Sequence, residues 1–335
     1  MNAEVVEPDA PAGGGGRGWL DQALWFGSRA GGPIVLVGLF LFFAFTMPDT
    51  FFTKANLQSM VSAQAVPGIL ALGLLFPLVA GEFDFSGGAV ASAAAVFLVV
   101  LTGNHGWDWP AACIVVIIGS AFVGAVNGVL VAYLEYSSFV ATLATSGIIG
   151  GVALAQSDGQ TLYQGIPRDF LDLGRGEWLT IPSPALYLLA VFVVVAFVLR
   201  QTAWGRYHEA VGKGRAAARL AGVRVRRHVL VSFILSATLA SIAGLVLVAR
   251  LGSAQPNGGS AFTLAAFAAA FLGATMFRPG FFNAAGTVVA ILLIAVGING
   301  LTLEGIPAYI EQIFTGGVLL VAVGLSRLER FSRRT

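Results

Sequence analysis

The sequence predicts an all-α integral membrane protein of about ten transmembrane helices, with both termini in the cytoplasm. Three observations carry that reading. Charge is scarce: Asp, Glu, Lys and Arg make up 11% of the 335 residues, against roughly 25% in a soluble domain, too little to coat a globule of this size. Charge-free apolar runs recur at the length a bilayer demands, about 20 residues for a helix. The basic residues also alternate by connection. With the N-terminus placed inside, 15 of the 19 Lys and Arg fall on inside segments and 4 outside, as the positive-inside rule requires.

Residues 1–32 open acidic and pass through PAGGGGRG, which reads as a flexible cytoplasmic tail. No apolar core precedes a cleavage site, so no signal peptide is expected. A transmembrane domain is expected over 33–325. Its spans centre on 33–47, 55–79, 85–101, 110–134, 139–155, 182–199, 229–249, 261–277, 286–303 and 308–325, and 326–335 form a basic cytoplasmic tail. Pro67 and Pro77 predict a broken or kinked second span, because proline lacks the backbone donor. Residues 157–181 form the long outer loop. It carries Asp158, Asp169, Asp172 and Glu177 among Gly and Pro, a composition that suits turns and serves either a docking surface or a solvated connection. Cys113 stands alone, so no disulfide framework is expected, and His105, His208 and His228 form no metal-binding cluster.

The second and third spans meet at GEFDFSGG, 81–88, where Glu82 and Asp84 are the only acids between Asp49 and Asp108. Charges near a membrane interior are costly and mark function by default. Asp84 and Ser86 also stand where an N-cap belongs, and capping is the expected role of Asp84 ahead of ligand contact. Gln64, Asn127 and Asn299 lie within apolar runs. Neutral amides suit an uncharged, hydroxyl-rich cargo. Singly, their ordinary role is a helix–helix hydrogen bond of about 1 kcal/mol or less.

The loop 200–227 holds eight of the Lys and Arg with Glu209 as its only acid. Its glycines and the helix-prone RAAARLAG favour a helix that docks a soluble partner over a simple anchor to anionic lipid. Gly212-Lys213 is not a phosphate loop. That pattern needs G-x-x-x-x-G-K-[ST], and Tyr207 and Gly214 occupy its first and last positions. No ATP site, no cofactor and no nucleic-acid partner is expected in this chain. With no nucleophile–base or metal constellation, it is not expected to be an enzyme.

Three blocks in order resemble the permease subunits of ATP-binding cassette (ABC) importers of the ribose type, over roughly residues 51–325. The family's G-R-x-x-x-A-x-G-x-N-x-x-A-A-x-x-x-G-I loop is matched by Gly205, Arg206, Ala210, Gly212, Ala217, Ala218 and Gly222, with Val223 for Ile and Gly214 for Asn. Its I-D-L-S-x-G resembles Phe83, Asp84, Phe85, Ser86 and Gly88, and its A-R-x-x-S-A-Q-P resembles Ala249, Arg250, Ser253, Ala254, Gln255 and Pro256. The resemblance implies a bacterial cytoplasmic-membrane permease for a monosaccharide or polyol, working as a homo- or heterodimer of permease subunits. A cytoplasmic ATP-binding cassette subunit would hold the ATP and Mg, and a soluble substrate-binding protein would deliver cargo. Coupling would then rest on Arg206, Glu209, Arg215, Ala217, Ala218 and Arg219, with Gly205, Gly212 and Gly222 shaping the turns. Gln64, Asp84, Asn127, Gln255 and Asn299 would line the pathway. The alternatives are an ABC permease for branched-chain amino acids and an ion-coupled secondary transporter using Glu82 and Asp84 as proton carriers.

Overall fold

The computed structural model describes residues 19–307 and 309–332, with side chains for 31–307 and 309–324. Residues 1–18 of the expected tail, and 333–335 of the basic tail, lie outside the described residues. Helix α1 (Trp19–Thr46) corrects the rest of that tail: 19–32 are helical, the chain turning helix-forming once it leaves the glycine run ending at Gly18.

The second expected span is two helices, α2 (Lys54–Ala63) and α3 (Ala65–Val79), joined at Gln64. Pro67 explains the break, since its nitrogen cannot donate to Ala63. Then come α4 (Gly87–Val99), extended by a π turn over Val100–Asn104, α5 (Trp109–Ala132) and α6 (Ser138–Gln156). The outer loop is more ordered than its composition suggests. It contains α7 (Arg168–Arg175) and a hairpin of β1 (Glu177–Trp178) with β2 (Ile181–Pro182). Phe170 of α7 is buried against Trp109, ring centroids 5.7 Å apart. After α8 (Ser183–Gln201), the basic loop folds into α9 (Ala203–Lys213) and α10 (Arg215–Leu220). The chain ends with α11 (Val225–Leu251), α12 (Thr263–Gly273), α13 (Ala284–Leu303) and α14 (Tyr309–Ser332).

Each expected apolar run contains a helix, although 85–86 and 274–277 are not helical. Among the described residues, seven helices are long and apolar enough to cross a membrane, and 31–46, 260–273 and 309–324 are shorter apolar helices.

At the centre, α3 is buried from Ala65 to Leu78 on every side, and α11 packs against α3, α4 and α5. Small residues permit this. Gly124 and Gly128 of α5 lie against the backbone of Phe233, Ile234 and Leu230, and Gly244 of α11 lies on the carbonyl of Ala91, leaving no room for a side chain. Dispersion from such close approach, with interhelical hydrogen bonds, drives helix association in lipid.

Three stretches are not helical although helices surround them: 81–86, between α3 and α4, 252–259, between α11 and the 3₁₀ turn Ser260–Phe262, and 274–283, between α12 and α13. Such backbone is tolerated at membrane depth only where protein satisfies it.

Candidate functional site

The segment 81–86 begins where α3 stops. Gly81 takes φ +81°, Gly81 N–H reaches Leu78 O at 3.1 Å and Glu82 N–H reaches Pro77 O at 2.9 Å, a glycine cap that uses the orphan carbonyls of the last turn. Beyond it residues 82–86 are not helical, and their side chains divide between two sets of partners. The polar face is Glu82, Asp84 and Ser86. Glu82 binds Arg215 of α10. One oxygen of Asp84 accepts the Ser86 N–H at 2.9 Å and the Ser86 hydroxyl at 2.5 Å, and the other accepts the Ser236 hydroxyl at 2.7 Å. Ser86 Oγ accepts from Asn127 Nδ2 at 2.9 Å, and Asn127 Oδ1 accepts from Thr145 at 2.7 Å. One chain of bonds thus joins α4, α5, α6 and α11. The other face is Phe83 and Phe85. Phe85 stacks on Phe267 of α12 at 4.6 Å and Phe83 on Phe271 at 6.3 Å. The backbone itself is held by hydroxyls of α6: Phe83 N–H donates to Ser138 at 3.1 Å and Phe85 N–H to Thr142 at 3.0 Å.

Asp84 is therefore not a cap of α4's first turn. Its carboxylate takes the N–H of Ser86, just ahead of the helix, and spends its second oxygen on α11. It lies deep because α4 starts deep: Gly87 sits beside Leu74 of α3 and Ala240 of α11, both well inside their helices. Gly88 meets Ser260 and Thr263 there, so the N-terminal ends of α4 and α12 converge beside the carboxylate. Ser92 bridges them, its hydroxyl oxygen accepting Gly259 N–H at 2.9 Å and Ser260 N–H at 3.1 Å. The space left is about 10 Å³, lined by Leu74, Asp84, Ser236, Thr263 and Ala266 among others, room for about one water.

The loop α9–α10 is built against the end of α3. Thr202 caps α9 by accepting Gly205 N–H at 3.0 Å. Gly212 lies on the carbonyl of Val79. His208, fully buried, has Nε2 2.7 Å from Phe76 O, and its ring stacks on Trp204 at 4.4 Å. Burial pushes its pKa down to about 4, the Phe76 bond opposing and the nearby His228 adding. The ring is neutral near pH 7 and donates from Nε2, since a carbonyl can only accept. Glu209 meets Lys213 at 2.9 Å and Arg278 at 3.4 Å. Burial raises its pKa, but the Lys213 hydrogen bond and the two cations prevail and hold it below the usual carboxylate value. Ala218 is buried with Val211 and Val225. Gly222 closes α10 at φ +80°.

Outward, Arg206, Ala217 and Arg219 are exposed. Leu220 is 91% exposed, an apolar tip on a basic helix. Sequence reasoning passed over Leu220, whose only signal was one large apolar residue in RAAARLAG. Inward, a cavity of about 820 Å³ opens between α9, the segment 81–86 and residues 277–283, lined by Glu82, Phe83, Glu209, Lys213, Phe271 and Arg278 among others. Asn283 fixes its far wall, donating to Gly273 O at 3.0 Å and Met276 O at 3.1 Å while capping Gly286 N–H at 2.7 Å.

The five residues expected along a pathway do not gather in one place. Asp84 and Asn127 share one network. Asn299 is engaged in a reciprocal amide pair with Asn56, at 2.9 and 3.0 Å, which ties α13 to α2. Gln64 sits at the α2–α3 break, and Gln255 is exposed in the turn after α11.

Known proteins place this architecture. The family model described as "Branched-chain amino acid transport system / permease component" matches residues 56–323. The ribose import permease protein RbsC of Bacillus subtilis (strain 168) is 31% identical over 88% of this chain and 92% of its own length. RbsC of Escherichia coli (strain K12) is 32% identical over 83% and 87%, and the D-allose transport system permease protein AlsC of the same strain is 30% identical over 90% and 93%. No solved structure matches the chain. Coverage of nearly the whole described fold, broken helices included, leaves one assignment: the chain belongs to this permease-component family and is a multi-pass inner-membrane transport subunit.

Proposed function

We propose that this permease imports a monosaccharide or related polyol, driven by ATP hydrolysis in a separate cassette subunit. The observation that carries the reading is the two-sided α9–α10 loop. Its outward face offers Arg206, Arg219 and Leu220 to a partner, while its inward face packs through Gly212 on the end of α3 and binds through Arg215 to Glu82 of the segment that carries Asp84. A push on the loop is thereby delivered to the polar centre. ATP and Mg belong to the cassette. The relatives' names supply the cargo class, and the neutral donors and acceptors of Ser86, Asn127, Thr145 and Ser236 suit hydroxyl groups.

In this reading the seven long helices and the three shorter apolar ones make ten spans, with both termini and α9–α10 on the cytoplasmic side. The opposite face, with α7 and the β1–β2 hairpin, receives a substrate-binding protein, and a second permease subunit completes the translocation unit. A branched-chain amino acid suits the site less well, for it brings an ammonium and a carboxylate while Asp84 already accepts three hydrogen bonds from the protein. Proton coupling through Glu82 is disfavoured by its ion pair with Arg215.

The test is uptake of labelled ribose, allose and arabinose into proteoliposomes holding the permease with its co-purified cassette and binding protein. Uptake should require ATP and survive collapse of the proton gradient. Uptake that ignores ATP and follows the gradient sinks the reading.

A further inference from the structure

We propose that the stacked pair Phe85–Phe267 is the inner gate of this permease, and that Arg215 operates it through Glu82. Two spaces are lined by residues close to the pair in sequence. The 820 Å³ vestibule is lined by Leu78 and Val79 of α3, by Glu82 and Phe83, and by Phe271 of α12. The 10 Å³ space beside Asp84 is lined by Leu70 and Leu74, by Asp84, Gly87 and Gly88, and by Thr263 and Ala266. On α12, Phe267 lies between Ala266 of the small space and Phe271 of the vestibule, and Phe85, which follows Asp84 on the segment, is stacked on it at 4.6 Å. Phe83 on Phe271 continues the closure toward the vestibule, and Phe139 meets the Phe85 edge at 5.1 Å. A hydroxyl-rich solute beside Asp84 cannot reach the vestibule until these rings part.

The moving partner is the segment rather than α12. Residues 81–86 are held by side-chain hydroxyls of α6, while Phe267 belongs to a helix. The handle is Glu82. Its partner lies on α10, whereas those of Phe83 and Phe85 lie on α12. Displacement of α10 pulls on Glu82, and Phe85, three residues further along, follows. The inference rests on the permease assignment and not on the identity of the cargo.

The experiment is thiol accessibility. Ala266, fully buried in the small space, is changed to Cys in a Cys113→Ser background of the full chain with its cassette. A membrane-impermeant methanethiosulfonate is added from the α9–α10 face of oriented vesicles. Labelling is expected to be slow with the rings intact and at least tenfold faster with Phe85→Ala or Phe267→Ala. Glu82→Gln should speed it as well, and Phe122→Ala, on a 69% exposed ring, should leave it unchanged. Folded Phe85→Ala and Phe267→Ala proteins that label at the parent rate overturn the proposal. Where those variants fail to fold, the Ala266→Cys chain with both rings is labelled with and without a non-hydrolysable ATP analogue. A rate that changes with nucleotide supports the gate and an identical rate overturns it. Absence of ribose uptake by the parent complex would count against the sugar reading alone, because the labelling needs no cargo.

Discussion

Gly212 of α9 rests its α-carbon on the carbonyl oxygen of Val79, the last residue of α3. No Cβ fits between them, so α9 and α3 touch backbone to backbone. Gly212→Ala must push the two apart. Overpacking of this kind costs about 1–3 kcal/mol, and the first thing displaced is the base of the segment 81–86. The expected result is a lower melting temperature in detergent and a fall in uptake with the cassette still bound. Loss of the cassette with undiminished stability would show that the contact serves only the docking face.

The ion pair of Arg215 with Glu82 is lopsided. The Glu82 side chain is 9% exposed and that of Arg215 is 47% exposed. Arg215→Gln leaves a carboxylate buried without its cation, whereas Glu82→Gln leaves a guanidinium that water can reach. The first should cost about 1–2 kcal/mol and the second under about 1 kcal/mol, the half-exposed arginine reducing what a fully buried pair would lose. Thermal melts of the two variants check the order. Equal losses would mean that solvent already screens Glu82.

His208 gives the chain an acid sensitivity that stands apart from transport. Its pKa in the fold is about 4, below the ordinary 6.5, chiefly through burial. Between those values the unfolded chain binds more protons than the folded one, so stability rises with pH. The contribution is fully present above about pH 6.5, declines as pH falls toward about 4, and amounts to about 3 kcal/mol over that window. His208→Gln, which keeps a donor for Phe76 O and cannot titrate, should flatten the dependence of melting temperature between pH 7.5 and 4.5. A variant as pH-sensitive as the parent would assign the effect to another group.

Two asparagines in apolar helices separate structure from pathway. Asn299→Ala leaves Asn56 without its partner and should cost about 0.6–1.7 kcal/mol of stability with the apparent KM for cargo unchanged. Asn127→Ala removes the link between Ser86 and Thr145 and should change KM or the maximal rate by tenfold or more. Uptake kinetics of the pair decide. A KM shift at Asn299 with none at Asn127 would reverse the assignment.

Leu220 has almost nothing of its own chain around it. Leu220→Ser should leave the melting temperature within about 0.5 kcal/mol of parent stability while lowering retention of the cassette on purification at least tenfold. Retention at the parent level would move the docking surface to Arg206 and Arg219.

The helices were legible because lipid demands long apolar runs, and the α2–α3 break because Pro67 must leave a carbonyl unpaired. The loop 200–227 was legible as helical from RAAARLAG. The segment 81–86 was misjudged in part. Asp84 and Ser86 before an apolar run carry the composition of an N-cap, and that signal hid another: Glu82-Phe83-Asp84-Phe85-Ser86 alternates polar and aromatic, the period of an extended chain. Its partners could not be read at all. Arg215, Ser236 and Phe267 are more than a hundred residues away in sequence, and only the placing of α10, of α11 beside α4 and of α12 beside α3 brings them near. For the same reason Asn299 reads like Asn127 in the sequence, both being lone amides in apolar helices, although one is occupied by Asn56 and the other by Ser86 and Thr145.

The hydroxyls that hold the segment 81–86 have a spacing of their own. Ser138 and Thr142 stand one helical turn apart on α6, about 6 Å along its axis. Phe83 and Phe85 are two residues apart, about 6.6 Å where a chain is extended. The two intervals nearly coincide, as a rack meshes with a pinion, and Ser146 continues the row on α6 by one more tooth. A slide of two residues would keep both amides bonded, to Thr142 and Ser146, but it would break the Asp84–Ser236, Ser86–Asn127 and Glu82–Arg215 contacts. A slide of one residue would turn the carboxylates to the aromatic side and the rings to the polar side. Two amides of the segment and two hydroxyls of α6 therefore share one repeat, and their match fixes the register of the segment on the helix.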